Sequence, residues 1–134
     1  MTSLKRPKRL FPRYGITMTM PSMTLSSFGD VALVGFPFTS LQVTKQRPAV
    51  VISNITYQQS RPDVVLMATP SQIRSNLSTG EYLLQDWQAA GLAKPSMIKP
   101  LIATLEQTQI IRPLGKLAPP DEAALRRLLA EILR

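Results

Sequence analysis

Arg47-Pro48 stands where the polar stretch TSLQVTKQ (39–46) gives way to the apolar run AVVI (49–52). Proline cannot donate a ladder hydrogen bond, so Pro48 belongs at a strand start or edge. It also holds the residue before it extended. A guanidinium is thereby presented where a loop meets a rigid sheet, an arrangement suited to bidentate binding of phosphate. The rest of the chemical inventory is narrow. The 134-residue chain has no cysteine and no histidine. That excludes disulfides, thiolate nucleophiles, Ser-His-Asp triads and most zinc sites. Catalysis must draw on Arg, Lys, Asp, Glu, Tyr, Ser or Thr, and no cofactor or metal is expected.

The formal charge of +8 is unevenly spread. Lys5, Arg6, Lys8, Arg9 and Arg13 precede the first acid, Asp30. From Met23 onward 11 basic residues face 8 acidic ones, a net of +3. This balance allows a polyanionic partner without demanding one. Residues 1–27 read as a basic tail interrupted by Pro7, Pro12 and Pro21. They fit a nucleic-acid-binding arm, sequence ahead of a true start at Met18, Met20 or Met23, or an Arg-rich transit segment. No apolar run approaches the roughly 18 residues of a membrane span, and a cytoplasmic location is expected.

The elements that position Arg47 are mostly strands. Phe28 to Phe38 and Arg47 to Asn54 form an expected pair of strands joined by the polar loop. ITYQQSRPD (55–63) reads as a turn-rich connection. Val64 to Ala68 has the composition of a central strand, closed by Thr69-Pro70-Ser71. Glu81 to Leu84 suggests a short strand. Asp86 caps an expected short helix, WQAAG, that Gly91 ends. Met97 to Leu105, with Pro100 as a break, and Ile110 to Leu114 complete the strands. The C-terminus is the clearest helix. Pro119, Pro120, Asp121 and Glu122 open it, and Leu125, Leu128, Leu129, Ile132 and Leu133 form one stripe. One domain, residues 28–134, is expected.

In this order the motifs GDVALVGFPF (29–38), KQRPAVVISN (45–54), VVLMATPSQI (64–73), WQAAGLAKPSMIKP (87–100), IATLEQTQIIRPLGKL (102–117) and the final helix are familiar. The chain resembles the MazF/PemK family of type II toxin–antitoxin ribonucleases over residues 28 to the end. The resemblance implies an α+β, mainly β fold: a small bent antiparallel sheet close to an SH3-like barrel, with a C-terminal helix. It implies a homodimer that cleaves single-stranded RNA without a metal and is blocked by a cognate antitoxin, with DNA binding through the antitoxin complex. A gyrase-directed toxin shares the fold, but the Arg47-Pro48 motif argues against that activity.

Residue by residue, the resemblance places Arg47 on the family's catalytic arginine. The family's second catalytic residue, a Thr or Ser ending the third strand, falls on Pro70. Thr69 and Ser71 flank it and are the candidate replacements. Neighbours on a strand point to opposite faces, so neither is a simple substitute. Lys45, Gln46, Gln72 and Arg74 are the candidate RNA-binding residues, and Glu81 is a remote candidate base. RNA carries its own nucleophile, the 2′-hydroxyl. An arginine that stabilises the phosphorane could therefore suffice without metal-bound hydroxide, leaving 2′,3′-cyclic phosphate and 5′-hydroxyl ends. The competing expectation is a catalytically degenerate module of the same fold that still grips RNA or antitoxin.

Overall fold

The computed structural model describes residues 27–36, 45–73 and 75–133. The basic tail, the greater part of the polar loop and Arg74 lie outside the described residues. Six strands are present: β1 (Asp30–Phe36), β2 (Lys45–Val51), β3 (Asp63–Ala68), β4 (Tyr82–Leu83), β5 (Met97–Glu106) and β6 (Ile110–Lys116). They form one antiparallel sheet in the order β4-β5-β3-β2-β1-β6. Helix α1 (Ile55–Ser60) links β2 to β3, and α2 (Pro119–Leu133) closes the chain. The fold is mainly β with a C-terminal helix, as the sequence leads one to expect.

The apolar runs become central strands because both of their faces are covered. Val31 pairs with Val50, and Val50 with Met67. These side chains join Ile98, Leu125 and Leu128 in one buried cluster, which Leu129 and Ile132 flank. The leucine stripe of α2 is thus the lid of this side, although Leu133 remains 65% exposed. Burial of each such side chain contributes about 1.5–3 kcal/mol. On the other face, Ala32, Val34, Ala49, Val51, Leu66 and Ala68 form a second buried cluster. Pro100 lies where the β3–β5 register shifts between the Met67–Ile102 and Ala68–Lys99 pairs. Pro113 sits on the edge strand β6, beside its own irregularities. Both positions suit a residue that cannot donate to a ladder.

Two connections differ from the sequence expectation. Residues 55–60 are a helix and not a plain turn, because Asn54 caps it by accepting a hydrogen bond from the Tyr57 N–H at 2.9 Å. Buried Ser53 donates to Gln58 at 2.6 Å and accepts from the Val65 N–H, tying this helix to β3. Residues 86–91 form turns and not a helix. Asp86 accepts from the Ala89 N–H at 3.0 Å as a cap would, but the chain turns away at Gly91. Gly91 has φ +78°, and a Cβ there would lie 1.9 Å from the Leu114 carbonyl oxygen. A Cβ on Gly115 would meet the Ala90 backbone at 2.6 Å. Two glycines thus let the turn lie directly on β6.

Asp121, fully buried in the first turn of α2, fastens the same region. Its carboxylate accepts from the Tyr82 hydroxyl at 2.8 Å and from the Gln85 and Asp86 N–H groups at 3.0 and 2.9 Å. Burial, and then the hydrogen bond and charge of Asp121, push the Tyr82 hydroxyl up to about 12.

Two outcomes are expected. Gly91→Ala combines left-handed strain with a backbone clash, costs of about 1–3 kcal/mol each. Thermal melting should therefore show a loss of several kcal/mol, and an unchanged melting temperature would contradict the close approach. Tyr82 binds its proton more tightly folded than unfolded. Its contribution is intact below the ordinary tyrosine value of 10.0 and is lost as pH rises to about 12. Alkaline absorbance titration should show one late tyrosine, absent in Tyr82→Phe.

Candidate active site

Arg47 is the third residue of β2, on the exposed end of that strand. It pairs with Val34 of β1. Its parity on the strand is that of Ala49 and Val51, so its side chain leaves the sheet on the face opposite α2. Lys45, two residues earlier and also exposed, shares that face. Gln46 is exposed but points to the other side, paired with Gly35.

The end of β3 reaches this strand mouth. Thr69 donates its N–H to the Pro48 carbonyl at 3.2 Å, extending the ladder one step beyond the Ala49–Ala68 pair. By the same register Pro70 comes opposite Arg47. Its carbonyl accepts from the Met97 N–H at 3.0 Å, so β5 continues the row. Ala68 belongs to the cluster on the Arg47 face. Thr69 therefore points through to the α2 side.

The two candidate hydroxyls separate clearly in this setting. Thr69 is 0% exposed, and its Oγ1 has no hydrogen-bond partner among the described residues. It is not brought together with Arg47. Ser71 is exposed immediately beyond Pro70, as is Gln72. These two stand at the rim beside the strand mouth. Glu81 is half-buried and accepts from the Ser78 N–H at 2.8 Å, holding its own turn. Arg74 cannot be placed, since it lies outside the described residues.

A residue that sequence reasoning passed over shares the Arg47 face. Lys99 pairs with Ala68 across the β3–β5 ladder, and directly opposed residues lie on one face. Ile98 beside it belongs to the α2-side cluster, which fixes the alternation independently. The only signal in sequence is a lysine inside an apolar strand. Among the described residues, neither Arg47, Lys45 nor Lys99 has an ion-pair partner. On this face β2, β3 and β5 present Lys45, Arg47 and Lys99 and no carboxylate among the described residues. The arrangement can bind and polarise a phosphodiester. Among the described residues no group of three acidic side chains is placed to hold a metal, and no helix is long and apolar enough to cross a membrane.

The chain belongs to the PemK-like, MazF-like toxins of type II toxin–antitoxin systems, whose family model matches residues 27–133. Solved structures share its fold at low identity. An endoribonuclease from Mycobacterial species superposes with a TM-score of 0.63 at 17% identity, covering 80% of this chain and 89% of that one. An endoribonuclease in complex with its cognate antitoxin, also from Mycobacterial species, gives 0.64 at 17% identity, covering 81% and 94%. MazF from Deinococcus radiodurans gives 0.63 at 19% identity, covering 81% and 96%. No curated protein matches the sequence.

The burial of Thr69 has a measurable consequence. A buried hydroxyl without a partner costs about 1–3 kcal/mol. The isosteric Thr69→Val should leave the melting temperature unchanged or raise it. Any phosphodiester cleavage should persist. A drop in cleavage comparable to that of an arginine variant would show that the hydroxyl reaches the substrate.

Proposed function

We propose that this protein is the toxin of a type II toxin–antitoxin system and acts as a metal-independent, sequence-specific endoribonuclease on single-stranded RNA. The observation that carries this reading is Arg47, exposed near the start of β2 and without an ion-pair partner among the described residues, within a family of toxins. In the proposed reaction the 2′-hydroxyl oxygen attacks the adjacent phosphorus, and the bond to the 5′-oxygen breaks. The 2′-proton leaves to a base and the 5′-oxygen gains one. Products are a 2′,3′-cyclic phosphate and a 5′-hydroxyl. Arg47 neutralises charge developing on the non-bridging oxygens, the term that commonly dominates such catalysis. A guanidinium offers five donors and no acceptor, which suits it for that and not for proton abstraction. Ser71 and Gln72 offer hydrogen bonds to the phosphate from the rim, and Lys45, on the Arg47 face, holds a flanking nucleotide, whereas Gln46 points away from that face. Support for metal independence is chemical: the chain has no histidine and no cysteine.

A homodimer in the cytoplasm and inhibition by a cognate antitoxin complete the proposal. They rest on family membership and on the antitoxin complex of the Mycobacterial endoribonuclease. A second reading has its own observation. Pro70 stands opposite Arg47 by register and offers no hydroxyl, while Thr69 is buried. A module that grips RNA or antitoxin with weakened cleavage would have this geometry.

The test is single-turnover cleavage of RNA in EDTA. Arg47→Ala should cut the rate by on the order of 10²-fold or more. Arg47→Lys should recover only part of it, because an ammonium keeps the charge and loses the planar fork. Folding should be unchanged, since Arg47 is exposed. Wild-type cleavage by Arg47→Ala would sink the mechanism. A wild-type protein that binds antitoxin and cleaves no RNA would establish the second reading.

A further inference from the structure

Lys99 lies diagonally across the sheet from Arg47. Row by row, Arg47 faces Pro70, whose carbonyl binds the Met97 N–H, while Ala49 faces Ala68 and Ala68 faces Lys99. Two strand spacings of about 4.8 Å and two residues of about 3.4 Å separate the Cα atoms of Arg47 and Lys99 by about 12 Å. Between them, on β3 and just beyond its end, stand Ala68, which is buried, and Pro70, which is half-buried. Lys45 extends the line on the far side of Arg47.

Lys99 has no ion-pair partner among the described residues, yet it is half-buried. A lysine in that position keeps its stem on apolar neighbours and its ammonium at the rim. Packing alone would be served better by Met or Leu, which carry no charge to desolvate. The register irregularity beside Pro100 sets where this side chain emerges, as bulges near functional sites do. The residues around it on β2, β3 and β5 supply no acid on this face among the described residues.

We infer that Lys99 is a second phosphate-binding residue of the site, and that single-stranded RNA crosses this face on the diagonal from Lys45 past Arg47 to Lys99. The inference rests on the ribonuclease reading above. Arg47 holds the scissile phosphate, and Lys99 holds a phosphate further along the same strand. Lys99 therefore governs affinity and salt dependence, and Arg47 governs the chemical step.

The experiment uses two probes. One is a random-sequence pool of fully 2′-O-methylated RNA, which binds without a free nucleophile. The other is the same pool unmodified. Lys99→Met keeps the stem and removes the charge. It should weaken binding of the methylated pool by about tenfold at moderate salt, as loss of one charge-assisted contact implies. It should also reduce the slope of log affinity against log salt by about 0.7, the increment for one phosphate on a single strand. Lys99→Arg should restore both, and all three proteins should melt alike. Wild-type affinity and slope in Lys99→Met, or a loss that Lys99→Arg shares, would overturn the inference. Arg47→Ala separates the two levels. If it abolishes cleavage of the unmodified pool while Lys99→Met behaves as wild type, only the Lys99 assignment fails. If it cleaves normally, the ribonuclease mechanism itself fails.

Discussion

The register of β1, β2 and β3 is the constraint on which the site depends. Ala49, Val50 and Val51 are all buried, with alternate side chains committed to two separate clusters. A slip of one residue would exchange every side chain between faces. It would drive Val50 away from the α2 leucines and bring Arg47 onto the covered side. The cost of burying an unpaired guanidinium makes that alternative untenable. The same register decides the fate of the neighbouring strand end. Thr69 is turned inward, Pro70 is set opposite Arg47, and Lys99 joins the arginine's face.

The remaining elements hold that sheet rather than add chemistry. Buried Asp121 binds β4 and the loop after it to the start of α2, accepting three hydrogen bonds. A carboxylate so enclosed is stable only with its acceptor sites filled. Removing one partner would leave the others exposed to that cost. The Gly91–Gly115 contact draws the following turn onto β6 at a spacing no side chain permits. At the other end, Arg61 donates to Asp63, and Tyr57 shares that carboxylate. The Gln107 N–H binds the Pro62 carbonyl there and links α1's exit to the turn before β6. Arg47 is thus displayed by a sheet braced at both ends.

Much of this was readable from residue types alone. Arg47-Pro48 announces a strand because proline's chemistry is local, but β2 begins earlier, at Lys45, and lies between β1 and β3, so Pro48 is neither its start nor on an edge. Val64 to Ala68 and the α2 stripe announce themselves by apolar runs and helical spacing. What escaped depended on partners distant in sequence. Helix α1 has no amphipathic period, and its Asn54 cap is reinforced by the Ser53–Gln58 bond and by β3. Asp121 looks like an ordinary acid at a helix start until the loop 35 and 36 residues away closes on it. Alternation alone set Thr69 and Ser71 on the face opposite Pro70 without saying which face is covered. Lys99 was invisible as a site residue because its place opposite Ala68 is set by a register shift at Pro100, which spacing along one strand does not reveal.

The central claim is that the RNA supplies its own nucleophile and that Arg47 acts on the phosphate it attacks. The most direct measurement first maps a cleavage position in a defined single-stranded RNA. The same oligonucleotide is then tested with a single 2′-deoxy substitution at the nucleotide carrying the attacking hydroxyl, in EDTA. The account predicts that cleavage at that bond disappears while the oligonucleotide still binds and competes with unmodified substrate. Continued cleavage at the deoxy position would show an external nucleophile at work and contradict the account.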